Sequence, residues 1–236
     1  MPQNSSGTPQ NGRNEKALVI TVDGPSGSGK GTLCQKLAQH LGWKLLDSGA
    51  LYRLVGYIAD KKGITAPSEI ADQALKLDIE FITDPATREL CSILEGQDVT
   101  RSIRTESCGE LASKVAAIPA VRAALLERQR AFQVAPGLIA DGRDMGSEVF
   151  PAAALKIFLD ADAEERANRR YNQLKEKGFD ANLAKIFEEI QARDERDSKR
   201  SSSPLVIAKD ALVVDSSTLS ADEVFNTVLK AAQSLI

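Results

Sequence analysis

The chain has 236 residues, with 30 Lys+Arg against 33 Asp+Glu, a formal net charge of −3. With 42% hydrophobic residues it has the length and composition to bury a core without staples, which excludes wholesale disorder. Near-neutral charge gives no overall pull toward nucleic acid or an anionic membrane, no window approaches the roughly 18 apolar residues of a spanning helix, and a single histidine, His40, excludes His-based triads.

Residues 1–16 are rich in Asn, Gln, Ser, Gly and Pro and read as a flexible tail with no apolar signal region. Ala17 to Val22 (ALVITV) is a short β-branched run, the pattern of a strand buried on both faces. A glycine-rich turn follows, then a helix over Thr32 to His40, a second strand over Lys44 to Asp47, and a helix from Gly49 to Lys62 that stops at Gly63. Later strands are predicted at Gly137–Ala140, Leu155–Leu159 and Ala211–Val214, with helices over Ala120–Phe132, Ala163–Lys175, Asn182–Lys199 and Ala221–Leu235. Strands alternating with helices imply an α/β fold built on a parallel sheet flanked by helices.

One segment departs from that alternation. Leu77–Phe81, Leu90–Leu94 and Gln97–Thr100 are short strands separated by turn residues, including Asp84-Pro85 and Glu95-Gly96, which predicts a small antiparallel sheet. Length divided by about 150 residues per domain likewise suggests one core plus an insertion. The boundaries are drawn at 17–74 and 117–236 for the core and 75–116 for the insertion. Cys34, Cys91 and Cys108 have neither zinc nor disulfide spacing and read as thiols of a reducing, cytoplasmic compartment.

The strongest chemical signal is Asp23-Gly24-Pro25-Ser26-Gly27-Ser28-Gly29-Lys30-Gly31-Thr32. Gly24 to Lys30 satisfies G-x-x-x-x-G-K directly after a buried strand and directly before a helix, the context a phosphate loop requires. Glycines let backbone N–H groups turn toward a phosphate, the helix N-terminus adds partial positive charge, and Lys30 supplies a mobile ammonium for the β- and γ-phosphates. The customary hydroxyl after the lysine, a magnesium ligand, is displaced by one to Thr32. ATP or GTP binding follows.

The loop alone does not name the reaction. The chain has no Asn-Lys-x-Asp string for guanine and no apolar run ending in Asp-Glu; it has arginines in sets. Arg53 follows Asp47–Tyr52, and Arg143 lies in Asp141-Gly142-Arg143-Asp144 at the end of an apolar run, where open α/β sheets bind ligands. Arg166, Arg169 and Arg170 share one helical face, as do Arg193, Arg196 and Arg200 with Asp197. Phosphoryl transfer between nucleotides demands this kind of positioned positive charge, and arginine grips phosphate oxygens bidentately.

Together, DGPSGSGKGT (23–32), DSGALYR (47–53), LEGQDVTRSIR (94–104), SKVAAIPAVR (113–122), GLIADGRDMG (137–146), KIFLD (156–160), RDERDSKR (193–200) and ALVVDS (211–216) resemble the bacterial cytidylate kinases, in order from about residue 17 to the C-terminus. The resemblance implies ATP-dependent phosphorylation of CMP, with dCMP as a second acceptor, Mg²⁺ required, and a monomer. It also implies a P-loop core with a five-stranded parallel sheet, an acceptor-binding antiparallel insertion and a helical lid at about 163–178. Carried over by position, Ser113, Arg122 and Asp144 correspond to readers of the cytosine edge, and Ser48 and Tyr52 to acceptor-pocket residues. Arg53, Arg143 and Arg200 correspond to clamps on the CMP phosphate, Arg193 and Asp197 to sugar contacts, and Arg166, Arg169 and Arg170 to the lid over ATP. Lys30, Arg143, Arg170 and Arg200 then carry catalysis. Another P-loop small-molecule kinase, or a nucleotide-dependent switch, remains an alternative from the residues alone.

Charge is also segregated. Residues 166–200 carry ten Lys/Arg against seven Asp/Glu, a net of +3, leaving −6 for the remainder. That arrangement suits small polyanions in a cleft rather than nucleic acid on a surface.

Overall fold

The structure, a computed structural model, describes residues 17–83, 90–176, 178 and 180–235. The expected tail at 1–16, the Asp84-Pro85 turn and part of the 163–178 lid span fall outside these. Strand β1 (Leu18–Asp23) leads through the glycine-rich loop into α1 (Lys30–Leu41), followed by β2 (Lys44–Asp47), α2 (Ser48–Lys61) and α3 (Pro67–Leu75). Next come β3 (Ile79–Thr83), β4 (Leu90–Leu94), β5 (Gln97–Asp98), α4 (Thr100–Ile103), α5 (Glu106–Ala116) and α6 (Pro119–Arg130). The chain continues with β6 (Gly137–Gly142), a π-helical turn at Met145–Val149, β7 (Leu155–Asp160), α7 (Ala163–Glu176), α8 (Leu183–Lys199), β8 (Leu212–Asp215) and α9 (Ala221–Gln233).

The parallel sheet runs β2-β6-β1-β7-β8. β1 lies at its centre, which explains an apolar run without alternation: both faces are covered. Successive side chains feed opposite faces. Leu138 and Ala140 enter a core shared with Leu51, Leu54 and Leu125, whereas Ile139 joins Ile20, Val22, Leu37 and Val228 on the other side.

The second sheet, β3-β4-β5, is antiparallel, as expected. Its edges differ from the pattern reading. The last strand ends at Asp98, because the Asp98 carboxylate accepts the Thr100 N–H at 2.8 Å and turns the chain into α4. Thr100 Oγ1 then accepts the Ser92 N–H at 2.8 Å, replacing a ladder bond with a side chain. Leu77, read as the first residue of a strand, instead enters the core ahead of β3. Leu94, Val99, Ile103 and Cys108 share one continuous core with the residues on that face of the parallel sheet.

Helix α5 went unpredicted. Thr105 caps it by accepting the Cys108 N–H, and it packs on α2 so tightly that a Cβ on Gly56 would lie 2.9 Å from Leu111 Cβ. Helices α7 and α8 form a hairpin with a small core of its own around Ala167, Ile186 and Ile190. No helix among the described residues is long and apolar enough to cross a membrane.

Candidate active site

The C-terminal ends of β1, β2 and β6 open into a cleft of about 860 Å³. Residues 24–29 form the loop between β1 and α1. Gly24 sits at φ +148°, and a Cβ there would lie 2.0 Å from the Leu159 carbonyl oxygen of β7, so no other residue fits without displacing the strand. Gly29, at φ 95°, precedes the first turn of α1, which carries no acidic side chain. Its backbone N–H groups are thus available to an anion. Lys30 is buried, and its Nζ donates to the Pro25 carbonyl at 2.6 Å. Burial, and then the Arg143 guanidinium, push the ammonium below its ordinary pKa, while Asp141 opposes them. A phosphate in the loop would favour the charged form in its turn.

Asp23 ends β1 and faces the opposite way. Its two carboxylate oxygens accept the N–H groups of Met145 and Gly146, each at 2.8 Å, and so pin the turn that follows Arg143 and Asp144. Burial raises its pKa to about 6 despite those bonds. As the first letter of the loop motif it was visible in sequence; its bond to a turn 122 residues away was not.

On the acceptor side, α2, α5, α6 and α8 converge. Arg122 of α6 donates to the Asp144 carboxylate, both groups being almost fully buried, and stacks over the Tyr52 ring with its guanidinium carbon 5.4 Å from the centroid. Arg200 Nη2 lies 3.7 Å from the other Asp144 oxygen. Burial pushes the Tyr52 hydroxyl up to about 12. The Ser48 hydroxyl donates to Gln129 Oε1 at 2.7 Å.

A second network joins α5, α8 and the Arg143 turn. Arg143 Nε pairs with Asp197 Oδ2 at 2.9 Å, Ser113 Oγ donates to Asp197 Oδ1 at 3.5 Å, and Arg196 Nε donates to Ser113 Oγ at 3.3 Å. Burial works against the Asp197 charge, yet Arg143 and Arg193 hold its carboxyl below the usual range. Burial, then Arg143, pushes Arg193 down to about 10. Arg53 Nη1 donates to the carbonyls of Ile103 and Thr105 at 2.8 and 3.0 Å. The Arg53 and Arg193 guanidinia meet over Gly109, where a Cβ would lie 3.0 Å from one and 3.4 Å from the other. Arg53, Arg143 and Arg193 form a cluster of positive charge only partly offset by Asp197, of the kind that suits an anion.

Most sequence-predicted residues therefore line one cleft: Ser26 to Thr32, Ser48, Tyr52, Arg53, Ser113, Arg122, Arg143, Asp144, Arg169, Arg193, Asp197 and Arg200. Four do not line it. Gly24 and Pro25 form the base of the loop. Arg166 is buried behind it, donating to the carbonyls of Ala161 at 2.8 Å and Ser26 at 3.0 Å and pairing with Asp194 at 2.6 Å. Arg170 is ion-paired with Glu106 at the start of α5. Sequence reasoning missed Gln129, Glu106 and Asp141, which lie in polar runs or inside a motif and carry no local signal of their own.

The family model described as cytidylate kinase matches residues 20–234. The chain belongs to the cytidylate kinase family. It is 56% identical to the cytidylate kinase of Shewanella denitrificans over 218 residues, 92% of this chain and 96% of that one. It is 57% identical to that of Aeromonas hydrophila over 221 residues, 93% and 95% of the two chains. Among solved structures, a shikimate kinase from Acinetobacter baumannii aligns over 92% of this chain and 94% of its own, at 18% identity and a TM-score of 0.42.

Proposed function

We propose that the cleft holds ATP and CMP end to end and transfers the γ-phosphoryl group in line to the CMP phosphate. ATP-dependent phosphorylation of CMP is the reaction of this family, and the observation that supports these roles is the convergence on one cavity of the Lys30 loop, the Arg53–Arg143–Arg193 cluster and the buried Arg122–Asp144 pair. A phosphate monoester is already an anionic nucleophile, so no strong base is required. Catalysis rests on position and charge.

In this reading Lys30 and the loop N–H groups hold the donor phosphates. Arg53, Arg143, Arg193 and Arg200 hold the acceptor phosphate, with Asp197 and Arg193 beside the sugar. Asp144, Ser113 and Arg122 face the base: the carboxylate accepts from its exocyclic amine and the guanidinium donates to ring acceptors. Arg169 and Arg170 close over ATP with the 163–178 lid, excluding water that would otherwise hydrolyse it. Segment 75–116 is the acceptor-binding insertion.

Magnesium fits this donor set. Thr32 offers an oxygen at the wall of the cleft that the Asp47 and Asp141 carboxylates also line, and no group of three His, Cys, Asp or Glu side chains among the described residues is arranged to hold a metal by itself. Thr32 would hold the ion together with the nucleotide phosphates, and bound there it would supply neutralising charge on the donor phosphates. The protein acts as a cytoplasmic monomer, and dCMP is a second acceptor.

A coupled ADP-release assay across CMP, dCMP, UMP and AMP tests this reading. Turnover with CMP and dCMP well above UMP and AMP is expected. ADP release that ignores the acceptor would refute it, and Arg122→Met should weaken CMP far more than ATP.

A further inference from the structure

We propose that Gln129, which need not touch substrate, sets the base selectivity of the acceptor pocket by fixing the direction of the Ser48 hydroxyl. The inference rests on the reading above that the acceptor base lies at the Tyr52–Arg122–Asp144 end of the cleft.

Gln129 is 1% exposed, the one polar residue among the largest fully buried side chains of the described residues. A carboxamide is costly there unless its hydrogen bonds are made. Its Oε1 accepts from Ser48 Oγ at 2.7 Å, joining α6 to the first turn of α2 across 81 residues of sequence. The carboxamide also lies near the Tyr52 hydroxyl, which makes no hydrogen bond of its own among the described residues. The Ser48 bond turns the amide oxygen toward α2.

An amide oxygen only accepts, so the one proton of the Ser48 hydroxyl is committed to Gln129. Ser48 lines the cleft, and what its oxygen has left to offer a ligand is lone pairs. The Asp144 carboxylate, held by Arg122 and close to Arg200, is likewise an acceptor. A 4-amino group carries two N–H donors and can satisfy both. The 4-carbonyl of uracil would face two acceptors without a proton between them. Selectivity for an amino pyrimidine is thus imposed from behind the pocket wall, and Gln129 is a positioning residue.

The test compares Gln129→Met, close in size but unable to accept from Ser48, with Gln129→Glu, which keeps an acceptor oxygen. In the full chain, kcat/KM is measured for CMP and UMP, with KM for ATP and Tm alongside. Gln129→Met should lower the CMP:UMP ratio of kcat/KM at least tenfold and leave KM for ATP unchanged, while Gln129→Glu stays within threefold of the wild-type ratio. Once Ser48 is Ala, adding Gln129→Met should not change the ratio further. An unchanged ratio in Gln129→Met, equal loss for both acceptors, or additive effects in the double variant overturns the proposal. Should Gln129→Met not fold, Ser48→Ala decides: the ratio must fall at least tenfold, and its retention overturns the proposal. Absent CMP turnover by the wild type would instead sink the functional reading itself.

Discussion

The Arg166 guanidinium donates to the Ser26 carbonyl at 3.0 Å while its other amine pairs with Asp194 at 2.6 Å. One buried side chain therefore ties the phosphate loop to both helices of the α7–α8 hairpin. Replacing Arg166 by Met leaves Asp194 without that cation and Ser26 without that donor, at a cost of about 3–5 kcal/mol. Urea unfolding should register this loss. A variant of full stability whose only defect is a raised KM for ATP would place Arg166 on the nucleotide instead.

Lys30→Ala separates function from stability in the other direction. Burial disfavours the Lys30 ammonium, so its removal should leave the protein at least as stable as wild type. Transition-state stabilisation should fall by about 3 kcal/mol or more, judged by losses of single preorganised donors. Steady-state kinetics beside a thermal melt checks both halves, and near-normal kcat/KM would remove Lys30 from the mechanism.

Glu106 holds Arg170 at the mouth of the arginine cluster and also acts on Arg193. The carboxylate is half exposed, so Glu106→Gln should change stability by less than about 1 kcal/mol. With this competing anion gone, KM for CMP should fall several-fold, most clearly at low salt. Arg170→Ala should instead lower kcat about a hundredfold with KM for CMP nearly unchanged. A KM for CMP that rises in Glu106→Gln would contradict the competing role.

Asp23 gives a pH signature. Its folded pKa, about 6, exceeds the ordinary 3.8, so the folded state binds its proton more tightly than the unfolded chain does. The group's contribution is fully present below pH 4 and is lost as pH rises through 6, a change of about 3 kcal/mol. The stability of Asp23→Asn relative to wild type should therefore improve steadily from pH 4 to pH 7. Denaturation series at four pH values would show it, and a flat difference would mean that Asp23 titrates normally.

Strand cores were readable because β1, β6 and β7 are covered by helices on both faces and so carry mostly apolar runs, broken in β7 only by Lys156 near its start. The phosphate loop was readable because its geometry demands glycine at fixed spacing. Helix α5 was not, since its start depends on Thr105 and its burial on contact with α2, neither of which leaves a strong local period. Arginine sets were visible as spacing, but spacing could not separate Arg169, which lines the cleft, from Arg166, which is buried behind the loop three residues earlier. Gln129 lies in the run Glu-Arg-Gln-Arg and reads as solvent-facing until Ser48 is brought to it through the fold.

The small, separate core of the α7–α8 hairpin has a thermodynamic consequence. Its apolar residues pack mostly on one another, while its anchors to the body of the protein include Arg166 to Ser26, Arg169 to Ser216 and Arg170 to Glu106. A swing of the hairpin as the proposed lid would exchange ion pairs and hydrogen bonds while burying little new apolar surface. Closure of that kind would carry a small heat-capacity change, so the proposed lid should respond to ionic strength rather than to temperature.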